Sequence, residues 1–269
     1  MSQSHSNAYL PPQKPRRFRA FRTIAALVLR EMSTTYGRSA GGYIWAIIAP
    51  VAAIALLTLV FSAALRTPSL GTNFSLFYAT GILPFSFYTQ TSNKIASALR
   101  FSRPLLQYPG VRYIDAIIAR FLLNLLTHII VFYLLISLII FAYDVQTILD
   151  FPTIILAFSL AGFLGLGIGC LNCYLFMRFP VWGTLWGILN TPLLIMSCIF
   201  FIFEDVPNKF QDLLWFNPLG HVIGLMRSGF YPSYDATYVS IPYLVLVTLI
   251  TMALGLLLLN RFHRDLLNN

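Results

Sequence analysis

The chain is 269 residues long, with 58% apolar and only 10% charged residues. Soluble domains carry about 25% charged and about 45–50% apolar residues, and a globule of this size has too little interior to hide the surplus. The composition therefore excludes a soluble enzyme, a disulfide-stapled secreted module and a disordered chain. It leaves an all-α, polytopic membrane protein. Eighteen Lys and Arg against nine Asp and Glu give a formal charge of +9. These cations flank apolar runs and form no aromatic-interleaved patch, which predicts contact with anionic lipids and no nucleic acid partner.

Residues 1–17 are polar and broken by prolines, and are expected to be a flexible cytoplasmic tail; residues 18–269 make one transmembrane domain. Arg22 and Arg30 leave an apolar core of only seven residues between them, too short for a signal peptide, so the N-terminus is expected to be retained. Residues 18–36 have a helical period. Phe18, Phe21, Ala25, Val28, Met32 and Tyr36 share one face, Arg19, Ala26, Arg30 and Ser33 the other, and Leu27 is out of place. The pattern predicts an amphipathic helix in the membrane interface, or one docked on a cytosolic partner.

Six spans follow, at 43–65, 75–97, 114–142, 152–177, 181–203 and 241–260, each near the ~20 residues needed to cross a bilayer. The second is the weakest, because Gln90, Thr91, Ser92, Asn93 and Lys94 crowd its second half. Ser86, Gln90, Asn93 and Ser97 share a face that must meet protein or water. Fourteen Lys and Arg fall on the side that holds both termini and three on the other, which places both termini in the cytoplasm.

Two connections are unusual. Residues 98–112 form a basic cytoplasmic loop with an apolar piece between Pro104 and Pro109, suited to docking on a soluble partner or else simply solvated. In the external segment 204–240, the stretch 213–230 is too apolar for a free loop and too short to cross. A pair of re-entrant helices broken at Asn217-Pro218 accounts for it, with a surface-lying helix as the alternative.

Chemistry-bearing motifs are few. The chain has no GxxxxGK[ST], HExxH or GxSxG pattern and four histidines. ATP hydrolysis by a P-loop, a zinc protease site and a nucleophile elbow are unsupported, and no bound cofactor or metal is expected. Cys170-x-x-Cys173 lacks a second pair and reads as two small side chains packed in a helix. In the third span Arg120, Asn124, Thr127 and His128 fall within about 100° on a helical wheel. A cation there must snorkel, pair between helices or line a polar passage. Gly162, Gly165, Gly167 and Gly169, and again Gly183 and Gly187, predict close helix packing. Tyr43, Trp45, Trp182 and Trp215 suit an interfacial aromatic belt or, less simply, the walls of a sugar path.

Several stretches taken together resemble one family. They are Arg30-Glu31, Tyr36-Gly37, Gly42-Tyr43-Ile44-Trp45-Ala46 with Pro50, Gly81-Ile82-Leu83-Pro84-Phe85, Tyr108-Pro109, and Val111 to Asp115 with Ile117 to Arg120. Trp215, Asn217-Pro218-Leu219, His221 and Arg227 complete the set. The likeness, over about residues 20–260, is to the membrane subunit of type-2 ABC exporters of capsular polysaccharide in the Gram-negative inner membrane. It implies a homodimer that recruits two ATPase subunits holding ATP and Mg, and that works with a periplasmic co-polymerase and an outer-membrane exporter. It also implies an ATPase-coupling surface formed by the N-terminal helix and the 98–112 segment: Arg19, Arg22, Arg103, Leu105, Leu106, Gln107 and Tyr108.

Substrate contacts are expected at Arg30, Arg38, Lys94, Arg100, Tyr43, Trp45, Phe85, Arg120, Asn124 and His128. Asn217, Pro218, His221 and Arg227 are expected to shape the exit. Relatives often carry an acid three residues after the histidine, where this chain has Gly224, and some carry one at the position of Asn124. O-antigen, teichoic acid and lipid exporters of the same build, and a membrane-embedded glycan-processing enzyme, are the competing readings.

Overall fold

The computed structural model describes residues 19–35, 42, 44–106 and 111–268. The expected tail and the positions Arg38, Tyr43, Gln107 and Tyr108 lie outside these, and Arg19 is described by its backbone alone. The described residues form ten α-helices and no strand. In chain order they are α1 (Arg19–Thr35), α2 (Ile44–Ala64), α3 (Phe74–Ala96), α4 (Ala98–Leu106) and α5 (Tyr113–Tyr143). After these come α6 (Phe151–Arg178), α7 (Pro180–Met196), α8 (Asn208–Trp215), α9 (Pro218–Phe230) and α10 (Ile241–Asn268).

Four of them, α2, α5, α6 and α10, are long and apolar enough to cross a membrane. The other two expected spans differ for separate reasons. α3 is polar in its second half but is the most enclosed of the long helices, with 17 of its 23 residues buried. α7 has only 17 residues and ends at Met196, short of the expected 203. Cys198 takes a left-handed conformation (φ 58°) that no helix continues through. The carbonyls of Ile199 and Phe201 are bound by Arg227 instead of by helical N–H groups.

Helix ends follow local chemistry. Asn73 caps α3 by accepting the Leu76 N–H at 3.2 Å. Asp115, which the wheel rotates away from Arg120, instead accepts the Arg112 N–H at 3.1 Å at the start of α5. Pro180 separates α6 from α7 because it has no N–H with which to continue the helix. The 98–112 segment is not a solvated loop where it is described. α4 follows α3 after the single residue Ser97, with Ala98, Leu99 and Ser102 buried, while Arg100, Phe101 and Arg103 stay exposed.

α6 packs between α3 and α10, and its glycines set the spacing. A Cβ on Gly165 would lie 2.8 Å from the Tyr88 carbonyl oxygen of α3, and one on Gly169 3.0 Å from that of Ser92. Gly167 meets Thr248 of α10 in the same way, and a Cβ on Gly255 of α10 would meet the Leu171 nitrogen at 2.5 Å. Gly183 and Gly187 behave differently: a Cβ on either would have nothing within 4 Å, and α7 buries none of its residues. α9 is no surface helix, since 11 of its 13 residues are buried among α3, α6 and α10. Cys170 and Cys173 pack with Ile95, Leu99, Ile117 and Leu259.

Replacing Gly165 by valine should force α3 away from α6, at about 1–3 kcal/mol or more. The expected outcome is a lower melting temperature of the detergent-extracted protein, whereas Gly183→Val should leave the melting of the single chain unchanged.

Candidate functional site

Polar groups gather at two ends of the bundle. At the first, α1 lies against α5. Leu27, the residue out of place on the helical wheel, is the one buried side chain among the described residues of α1, at 9% exposure, while Phe21 and Leu29 stay open at 72% and 66%. One turn beyond Leu27, the Glu31 carboxylate pairs with Arg120 Nη2 at 3.0 Å. Arg120 Nη1 donates to the Lys94 carbonyl at 2.8 Å and to Ser97 Oγ at 3.1 Å, and its guanidinium stands 4.9 Å from the Phe101 ring. Arg120 is only 5% exposed, and its Nε has no hydrogen-bond partner. Between helices, then, Arg120 is paired, as a buried cation requires.

Lys94 extends the network. Its ammonium donates to Asn124 Oδ1 at 2.8 Å, and Asn124 Nδ2 donates to Thr91 Oγ1 at 2.6 Å. The neutral amide thus serves the lysine and the threonine at once. His128, one turn further along α5, is buried with its ring 5.1 Å from that of Phe87. A cleft of about 440 Å³ opens beside the ion pair, lined by Arg30, Glu31, Thr34, Lys94, Ser97, Phe101 and Arg120. Arg100 and Arg103 face a separate cavity of about 490 Å³ together with Arg178.

Of the expected contact residues, Arg30, Lys94 and Arg120 meet in one cleft and Asn124 adjoins it. Phe85 is buried in the core, and Trp45 stands 58% exposed on α2. Arg22 is exposed on α1, and Leu105 and Leu106 are half-buried at the end of α4. Glu31 entered the sequence reading only as part of a motif. The signal that picks it out is its isolation: it is the single carboxylate before Asp115.

At the opposite end, Asn217 and Pro218 break α8 from α9. Asn217 Oδ1 accepts the Leu219 N–H at 3.1 Å, and its amide donates to Ser197 Oγ at 3.2 Å. His221 is fully buried. The Ser240 N–H donates to its Nδ1 at 3.2 Å, so Nε2 carries the proton and donates to the Trp215 carbonyl at 2.7 Å. The rings of Trp215 and Tyr243 both lie 5.2 Å from the imidazole.

Arg227, 1% exposed, commits its two terminal nitrogens to the carbonyls of Phe201 and Ile199, each at 2.8 Å, and lies 4.1 Å from the Phe77 ring. No carboxylate pairs with it among the described residues. Tyr234 donates to Glu204 at 2.9 Å, and burial together with that carboxylate raises the phenol above its ordinary pKa. At Gly224 the space a side chain would take is filled by Tyr238, whose Cζ lies 2.8 Å from where a Cβ would stand. The tyrosine hydroxyl donates to the Gly220 carbonyl at 3.1 Å.

The sequence pattern of the ABC-2 type transporters matches residues 22–231. The polysialic acid transport protein KpsM of Escherichia coli is 34% identical over 88% of this chain and 92% of its own length. The capsule polysaccharide export inner-membrane proteins CtrC of Neisseria meningitidis serogroup B and BexB of Haemophilus influenzae are 27% and 28% identical, each over 90% of this chain and 92% of their own.

Asn124→Ala removes an acceptor from Lys94 and a donor from Thr91. It should destabilise the fold by about 2–3 kcal/mol, because buried polar groups lose partners. Asn124→Asp still accepts from both groups and should melt close to the wild type; thermal unfolding in detergent checks both.

Proposed function

As the chain belongs to the ABC-2 type transporter family, we propose that it is the membrane subunit of an ATP-driven exporter of capsular polysaccharide in a Gram-negative inner membrane. The observation that carries this reading is a likeness to capsule exporters through about nine-tenths of the chain. The family match takes in the whole first cluster and the Asn217, His221 and Arg227 of the second.

In this reading six helices cross the bilayer. α2, α5 and α10 face lipid along much of their length, α3 and α6 cross largely inside them, and α7 crosses with the aid of the 197–202 turn. The lysine and arginine excess puts both termini, α1 and α4 in the cytoplasm, and α8 and α9 re-enter from the periplasmic side. The chain pairs with a second copy of itself and with two ATPase subunits. The partner ATPases hold ATP and Mg, because this chain carries no phosphate-binding loop.

The physical division of labour follows from exposure. Exposed Arg22, Arg100 and Arg103 on α1 and α4, with half-buried Leu105 and Leu106, offer the ATPase a basic surface with apolar points, and the family resemblance adds Arg19, Gln107 and Tyr108 to the coupling residues. The cleft of Arg30, Lys94 and Arg120 receives the anionic, lipid-linked end of the polymer; each cation near an anionic surface contributes about 1 kcal/mol. At the far end Asn217, Pro218, His221 and Arg227 hold α9 rigidly beside the exit, where a periplasmic co-polymerase and an outer-membrane exporter take the chain. Closure of the ATPases would move α1 and α4, and those helices transmit the movement to α5 and α3.

Deletion of the gene should abolish surface capsule while leaving other surface glycans, and the chain should copurify with an ATPase that is its source of turnover. Loss of O-antigen instead, or turnover by the isolated chain, would contradict the assignment. The double variant Arg30→Ala with Lys94→Ala should lower capsule export at least several-fold at an unchanged membrane level. Normal export would remove the cleft from the substrate path.

A further inference from the structure

The ion pair between Glu31 and Arg120 is incomplete in a specific way. Both carboxylate oxygens approach the same nitrogen, Nη2, at 3.0 and 3.3 Å. Nη1 is occupied by the Lys94 carbonyl and Ser97. Nε, buried, has no partner. A guanidinium binds an oxyanion best through two parallel N–H bonds from neighbouring nitrogens, and here the edge formed by Nε and Nη2 is only half used. The adjoining cleft brings three cations, Arg30, Lys94 and Arg120, against the one carboxylate of Glu31, so it keeps an excess of positive charge. Its wall includes Phe101, 67% exposed and 4.9 Å from the Arg120 guanidinium, an apolar surface next to an anion-seeking one.

We infer that this cleft binds a phosphoryl anion and that Glu31 is its built-in stand-in. An arriving phosphoryl group takes the Nε–Nη2 edge of Arg120, displaces the Glu31 carboxylate and so loosens α1 from α5. A phosphoryl group suits the cleft better than a second carboxylate. Its several oxygens spread over Arg30 and Lys94 while two of them engage Arg120. The displaced Glu31 sits on α1, whose exposed Phe21 and Leu29 keep that helix in the interface when the pair opens. This rests on reading the cleft as the cytoplasmic loading site, and it adds a consequence: occupancy of the site is signalled to α1. The phosphoryl group can come from a lipid headgroup or from a free anion.

The test uses the full chain in nanodiscs of phosphatidylcholine, with dioleoyl phosphatidic acid at low mole fraction as one probe and inorganic phosphate as the other. Glu31→Gln keeps a hydrogen bond to Arg120 but removes the competing charge, so it should bind phosphatidic acid about tenfold tighter than the wild type. Arg120→Gln should lose that binding, and Arg120→Lys should recover part of it. Phosphatidic acid should speed amide exchange in α1 of the wild type and leave Glu31→Gln, already fast, unchanged. If inorganic phosphate reproduces the charge dependence, the site reads the free anion; if phosphatidic acid alone does, it reads a headgroup; both support the inference. Equal or weaker binding by Glu31→Gln with both probes, or α1 exchange indifferent to both, overturns it. Capsule loss on deletion would stand in either case, so a failure here is separable from a failure of the exporter assignment.

Discussion

Hydrocarbon offers no hydrogen-bond partner, and α3 carries Thr91, Ser92 and Lys94 within four consecutive residues, so α3 cannot face lipid along its second half. The rest of the bundle is arranged around that constraint. α5 supplies Asn124 and Arg120 to its polar groups, and α6 closes in through glycines that let two backbones approach. α9 fills the other end, where Phe77 and Tyr78 begin the same helix among buried neighbours. The outer helices can then be uniformly apolar: α2 buries only Pro50 and Ile54. A membrane bundle gains little from burying apolar groups against one another, so close packing and polar satisfaction decide its order.

The two buried arginines show how the same cost is met in different ways. Arg227 gives both terminal nitrogens to backbone carbonyls of the turn that ends α7, while its Nε, like that of Arg120, has no partner; its partners are therefore fixed to the fold and the contact works as a rivet. Arg120 is satisfied in part by a side chain on α1, an element that lies against the outside of the bundle. A partner on a peripheral helix can leave without unfolding the core. That asymmetry gives the Arg120 end a movable joint and the Arg227 end a rigid one, a division that suits the proposed machine if it is driven from the face that carries α1.

The helical architecture was legible because hydropathy and length report directly on lipid contact, and the glycines of α6 and the break at Asn217-Pro218 read correctly for the same local reasons. α4 was hidden because Pro104 and Pro109 look like loop breakers in the sequence, although the helix runs through Pro104 to Leu106 and buries Leu99. The end of α7 was hidden because the apolar run continues through 197–203, and neither the left-handed Cys198 nor the long-range claim of Arg227 on two carbonyls beyond it is visible in that run. Leu27 looked misplaced because α1 turns its most apolar face outward and a narrower one inward. Glu31 and Arg120 lie 89 residues apart, so periodicity could not join them, yet an isolated early carboxylate and a cation inside a span were both visible.

The enclosure of α3 is the claim on which the account turns, and photolabelling from within the bilayer measures it most directly. A phospholipid with a photoreactive acyl chain, activated in membranes holding the assembled protein, should modify the outward residues Ile130, Tyr133 and Leu134 of α5 and Leu246 and Leu249 of α10. Residues 76–88 of α3 should stay unmodified. Labelling of α3 to the same extent as α5 and α10 would contradict the account.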